Sequence, residues 1–151
     1  MNDLHDETAV IRAATAMGML VDQRDWDAAT SLFTDRVEVD YTSLNGGEPM
    51  TVAATDLIAG WQANLEHLDA TQHLIAGHLV TLEGDTATCV SNVQGTHVLA
   101  NKTGGPHWTV GGRYDMRLTK TDTGWKINAL TLTVSWATGN QAIMTPPDGV
   151  H

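Results

Sequence analysis

The sequence predicts an α+β fold in which N-terminal helices enclose a pocket against a cone-shaped, curved sheet of antiparallel or mixed strands. Three observations predict it. Apolar residues in the first part of the chain recur at helical spacing. The second part is dominated by long runs that read as strands. Turn signals such as Asn45-Gly46-Gly47 and Gly84-Asp85 punctuate both parts. Helices first and a meander afterwards is the α+β pattern, and a sheet curved under helices leaves room for a small, largely apolar molecule.

The first helix is expected from about Asp3 to Arg24, where Val10, Ala14, Met17 and Val21 form one stripe. At about 100° per residue, Ile11, Gly18 and Asp22 fall along one edge of that stripe, so Asp22 leans toward whatever the helix covers. Asp25 is expected to cap a short second helix carrying Trp26, Ala29, Leu32 and Phe33. Arg36 to Thr42 alternates as a strand, and Val52 to Leu68 reads as a third helix with Leu57, Ile58, Trp61 and Leu65 on its buried face. Four long strands follow: Thr71 to Glu83, Thr86 to Ala100, His107 to Thr121 and Gly124 to Thr138. The tail, residues 139–151, contains Pro146-Pro147 and is expected to be irregular. With no repeat and no linker, residues 1–151 are expected to form a single domain.

Composition narrows the function. The net charge of −10, with only 8 Lys and Arg residues, argues against nucleic acid and against an anionic membrane surface. The one cysteine, Cys89, cannot form an internal disulfide and reads as a small buried residue. No signal peptide or membrane-length apolar run is visible, so a cytoplasmic protein is expected.

Chemistry is expected where polar residues interrupt buried strands. His73 opens one strand, His97 comes late in the next, Tyr41 ends the first, and Asp22 comes from the first helix. An Asp–His pair is a usable general base, because the carboxylate orients the imidazole and stabilises its protonated form. A second histidine can act as the acid for a leaving group, and a tyrosine can donate to an oxygen that gains charge. Each residue also has a plain structural reading, as a satisfied core or surface group. His78 has the opposite strand parity to His73 and is expected to face the other way. His73, His97 and His107 lack the fixed spacing of a metal site, and no metal is expected.

These residues also carry a resemblance. Asp22 followed by Arg24-Asp25-Trp26-Asp27, then Val39-Asp40-Tyr41, then Thr71-Gln72-His73 occur in an order similar to that of the SnoaL-like branch of the nuclear-transport-factor-2-like (NTF2-like) superfamily. Asp122, Trp125-Lys126 and Trp136 extend the match, which runs from about Thr8 to Trp136. Within the superfamily the pattern is most similar to scytalone dehydratase, and hexachlorocyclohexane dehydrochlorinase is similar at Asp22 and His73. The resemblance implies a cofactor-independent lyase, most simply a dehydratase, acting on a small cyclic or polyketide-like substrate. It implies His73 as base, Asp22 and His97 as its partners, and Tyr41 as the donor on the carbonyl side. It leaves open which histidine Asp22 holds. It also implies self-association as a dimer or trimer.

The chain departs from the scytalone dehydratase pattern. Val21 replaces a tyrosine, and Gly112 and Tyr114 replace a serine and an asparagine. Val21, Tyr114, Trp61 and Trp136 are therefore the expected substrate-contacting residues, and scytalone itself is not the expected substrate. Pocket size depends on which of Trp61, Trp108, Trp136, Met116 and Met144 point inward. The alternatives are an isomerase or cyclase using the same residues, a small-molecule binding protein, and a structural subunit.

Overall fold

The computed structural model describes residues 3–146. Helix α1 (Asp3–Asp22) is followed by α2 (Trp26–Thr30), β1 (Phe33–Asp40), the short α3 (Thr42–Asn45), β2 (Met50–Ala53) and α4 (Ala54–Leu65). Four long strands then run as β3 (Ala70–Glu83), β4 (Thr86–Val98), β5 (His107–Thr121) and β6 (Gly124–Gly139), and a 3₁₀ turn (Gln141–Met144) ends the regular structure. The strands form one six-stranded sheet in the order β2-β1-β6-β5-β4-β3. It is mixed, because β1 lies parallel to β6 while the other neighbours are antiparallel.

The predicted α+β cone is the fold observed. Val10, Ala14 and Met17 of α1 are buried with Val37 of β1 and Ile127 and Leu130 of β6 in one apolar core. Register shifts between β5 and β6, beside Gly111/Gly112 and beside Arg117/Leu118, bend the sheet, as extra residues in one strand do.

Gly18 lets α1 approach β3. A Cβ there would stand 3.1 Å from the His73 carbonyl oxygen and 3.0 Å from Ile75 Cδ1. One turn further on is Asp22, which ends the helix. Arg24 then turns the chain with φ at 59°, a conformation disfavoured for a side chain. Its guanidinium donates to the carbonyls of Leu65, Glu66 and Leu68, tying this corner to the end of α4.

Several sequence expectations are corrected. The second helix stops at Thr30, and Phe33 already belongs to β1. Residues 50–53 form β2 instead of a loop and helix start; so short an edge strand has little periodicity to read. The tail is not wholly irregular: Ile143 of the 3₁₀ turn is buried, and residues 147–151 lie outside the described residues. His78 faces the interior, on the same side as His73. Gly77 adopts φ 68° at a register shift in β3, and the bulge reverses the parity of everything after it. His78 then bridges Ser91 (2.6 Å) and Thr15 (3.0 Å), linking sheet to helix. No helix among the described residues is long and apolar enough to cross a membrane.

Candidate functional site

The cone encloses a cavity of about 600 Å³, within the range of small-molecule sites. Val39, Leu57, Trp61, Ile75, Val93 and Leu132 supply apolar wall, and His73, His97, Tyr41 and Tyr114 interrupt it. A second depression of about 480 Å³ lies on the outer face of the sheet, beside Glu38, Asp40, Asp115 and Arg117, and includes none of the expected site residues.

Asp22 and His73 meet. Nδ1 of His73 donates to Asp22 Oδ1 at 2.7 Å, and the His73 backbone N–H donates to Oδ2 at 2.7 Å. The Thr71 hydroxyl also donates to Oδ1, at 2.9 Å. The carboxylate is thus held by three donors from one strand. Because an ionised carboxylate only accepts, Nδ1 carries hydrogen and the neutral ring keeps its lone pair on Nε2. The ring lines the cavity, and Asp22 backs it from the helix. The geometry answers which histidine Asp22 holds: it is His73.

His97 stands beside it. The two rings meet edge to face, with centroids 5.7 Å apart and planes at 88°. His97 is only 6% exposed. Its Nδ1 donates to the Trp108 carbonyl at 3.0 Å, so in the neutral ring Nε2 is an acceptor. Burial lowers the His97 pKa; the Trp108 carbonyl opposes this, the nearby His73 adds to it, and the Asp22 carboxylate opposes it. His97 is therefore set up as a neutral acceptor and holds no spare proton for a leaving group.

Gly95 makes space for the His73 ring and leaves His97 at ordinary contact distance. A Cβ there would lie 3.0 Å from His73 Cδ2, 3.2 Å from His73 Nε2 and 3.7 Å from His97 Cε1. Gly95 pairs with His73 across β3 and β4, so the missing side chain belongs to the register.

Tyr41 follows β1 at the start of α3, and Tyr114 comes from β5. Burial raises the Tyr41 pKa well above the ordinary phenol value, and the adjacent Tyr114 raises it further. Burial pushes Tyr114 up to about 12, moderated by the Tyr41 hydroxyl. Both phenols keep their protons near neutrality and can donate hydrogen bonds.

Of the residues expected to contact substrate, Val21, Trp61 and Tyr114 line the cavity, as do Trp108 and Met144. Trp136 does not. It is 46% exposed, and its indole occupies the place a Gly111 side chain would take, 2.0 Å from the Cβ position. The register shift beside Gly112 turns this end of β6 over. Met116 is packed in the core away from this cavity. Sequence reasoning gave no role to Thr71, Gly95 or Gln141. Thr71 shares strand parity with His73, two residues away, which is a readable signal. Gln141 reaches the cavity because the 3₁₀ turn is anchored, His67 Nε2 donating to the Ile143 carbonyl at 2.8 Å. Among the described residues, no three His, Cys, Asp or Glu side chains converge as metal ligands.

Residues 2–131 match the SnoaL-like domain family. The chain belongs to that family. This SnoaL-like chain is also similar to solved structures. One is the Kfla4162 protein of Kribbella flavida, at 29% identity and a TM-score of 0.87, covering 94% of this chain and 97% of that one. Another is a candidate scytalone dehydratase of Novosphingobium aromaticivorans, at 20% identity and a TM-score of 0.78, covering 98% and 96%. A third is the hexachlorocyclohexane dehydrochlorinase LinA-type3 of Novosphingobium barchaimii, at 16% identity and a TM-score of 0.72, covering 97% of both chains. At these identities the last two establish the shared NTF2-like fold alone. No curated protein matches the chain.

Proposed function

We propose that this SnoaL-like chain is a cofactor-independent lyase of the dehydratase type, working on a small, largely apolar cyclic substrate. The observation that carries the proposal is the Asp22–His73 pair, which in the neutral ring puts the Nε2 lone pair of His73 at the wall of a largely apolar cavity. In that setting Nε2 takes a proton from the carbon next to a carbonyl. The imidazolium so formed is stabilised by the Asp22 carboxylate against its Nδ1–H. Tyr41 and Tyr114 are the available O–H donors for the carbonyl oxygen as it gains enolate charge.

The leaving hydroxyl needs a proton to depart as water. Since His97 is neutral with its Nδ1–H already used, the proton comes back from Nε2 of His73. The C–H and the leaving group must then lie on one face of the substrate, so the elimination is syn. General acid–base catalysis contributes about 10²–10⁴-fold, and donors aimed at an oxyanion about 10²–10³-fold each. The arrangement therefore needs both halves. The presence of homologous folds in lyases supports this reading without deciding the substrate.

The test separates proton abstraction from elimination. Ring ketones without a leaving group are incubated in D₂O, and loss of the α-proton signal is followed by ¹H NMR. β-Hydroxy ring ketones are followed in parallel by enone absorbance. Enzyme-dependent exchange and enone formation, both lost in His73→Ala, are expected. Equal rates in wild type and His73→Ala would refute the proposal.

A further inference from the structure

The substrate class can be narrowed by charge. All 8 Lys and Arg residues of the chain fall within the described region, and none lines the cavity. Six of them are engaged elsewhere. Arg24, Arg36 and Lys126 donate to backbone carbonyls, while Arg113, Arg117 and Lys120 pair with Asp115, Glu38 and Asp6. Among the described residues, the two charged side chains that do line the cavity are acids. Glu48, between α3 and β2, and Asp56, in the first turn of α4, are both exposed and both border the space, which places them at its mouth. Inside, His73 is already matched by Asp22, and His97 has its Nδ1–H committed to Trp108.

An anionic ligand would pass two carboxylates and then lose its hydration in a cavity that, among the described residues, is lined by no Lys or Arg. Burying an unpaired carboxylate is strongly unfavourable, and like charges at an entrance slow approach. An uncharged ring compound meets neither obstacle. We infer that this cavity selects uncharged substrates over carboxylates and phosphates, nucleotide- and coenzyme A-linked forms included, with Glu48 and Asp56 at the mouth as specificity-determining residues. This rests on the reading of the cavity as the substrate site but not on the proton transfer.

A matched pair of probes tests it: naphthalene-2-carboxamide and naphthalene-2-carboxylate, titrated calorimetrically at low salt into wild type, into Glu48→Gln/Asp56→Asn and into His73→Ala. The amide is expected to bind at least about tenfold more tightly than the carboxylate. The double variant, or 0.5 M salt, should narrow that ratio about two- to fivefold, because exposed charges are screened over a Debye length. The ratio should persist in His73→Ala, so loss of turnover and loss of charge selection are separately readable. A carboxylate that binds as well as the amide overturns the inference. So does a ratio unmoved by the double variant, and so does failure of both probes to bind.

Discussion

Asp22 Oδ1 and His73 Nδ1 stand 2.7 Å apart, and the same carboxylate also accepts the His73 backbone N–H at 2.7 Å. The helix therefore orients both the ring of His73 and the strand that carries it. A single side chain fixes tautomer and position together, with Thr71 as a third donor.

That double grip predicts the outcome at Asp22. In Asp22→Asn one end of the side chain becomes a donor facing donors, and a partly buried polar group left unmatched costs about 1–3 kcal/mol. Urea denaturation should show a loss in that range. Long-range ¹H–¹⁵N spectra of the imidazoles should show His73 losing its uniform Nδ1–H tautomer. Turnover should fall by about 10²–10⁴-fold if the base is mispositioned. A variant with the wild-type His73 tautomer would remove the positioning argument.

Gly95→Ala tests the space beside the base. The new methyl would press on His73 Cδ2 and Nε2 at 3.0 and 3.2 Å. The ring can yield by leaving its rotamer minimum, at about 0.5–1.5 kcal/mol. A small stability change with a loss of activity above tenfold is expected. The reverse pattern, large destabilisation with activity retained, would mean that Gly95 serves packing only.

At Gly18 two effects compete. Alanine is the better helix former by about 1 kcal/mol. Its methyl would meet the His73 carbonyl at 3.1 Å, and backbone cannot rotate away. Overpacking of this kind costs about 1–3 kcal/mol, so Gly18→Ala should be destabilising despite its helix propensity. Asp22, one turn on, should shift with α1, and activity should fall in parallel. Stabilisation of the variant would show that α1 is free to slide.

Stability should depend on pH through buried His97 and half-buried His78. Burial lowers the folded-state pKa of His97 and of His78, while in the unfolded chain both titrate near 6.5. Below 6.5 the unfolded chain binds more protons than the folded one. Stability is therefore full above about pH 6.5 and falls as pH drops toward the folded-state values. His97→Asn retains a donor for the Trp108 carbonyl and should flatten part of that slope in denaturation curves from pH 5 to 7.5. An unchanged slope would assign the whole effect elsewhere.

The phenols make a complementary prediction for turnover. With Tyr114 held at about 12 and Tyr41 also raised, neither ionises below pH 9. Tyr41→Phe and Tyr114→Phe should each lower kcat, by about 10²–10³-fold if they act as oxyanion donors. The shape of the pH–rate profile between 6 and 9 should not move. A profile that changes shape in either variant would mean that the tyrosine itself titrates.

Much of this site was legible in the chain, for local reasons. Helical spacing put Asp22 on the edge of a buried stripe, and strand alternation put His73 among apolar residues. The tertiary structure decided the rest. Trp136 left the cavity and His78 entered the interior because single-residue shifts in β6 and β3 exchange the two faces of a strand. Such shifts depend on pairing with a neighbouring strand, which the period of one strand does not encode. The choice of His73 over His97 as the partner of Asp22 likewise rests on how closely α1 meets β3, which Gly18 permits. The sequence by itself determined which groups could move a proton. Only the packing of helix on sheet decided which of them share it, because that depends on distances between segments remote in the chain.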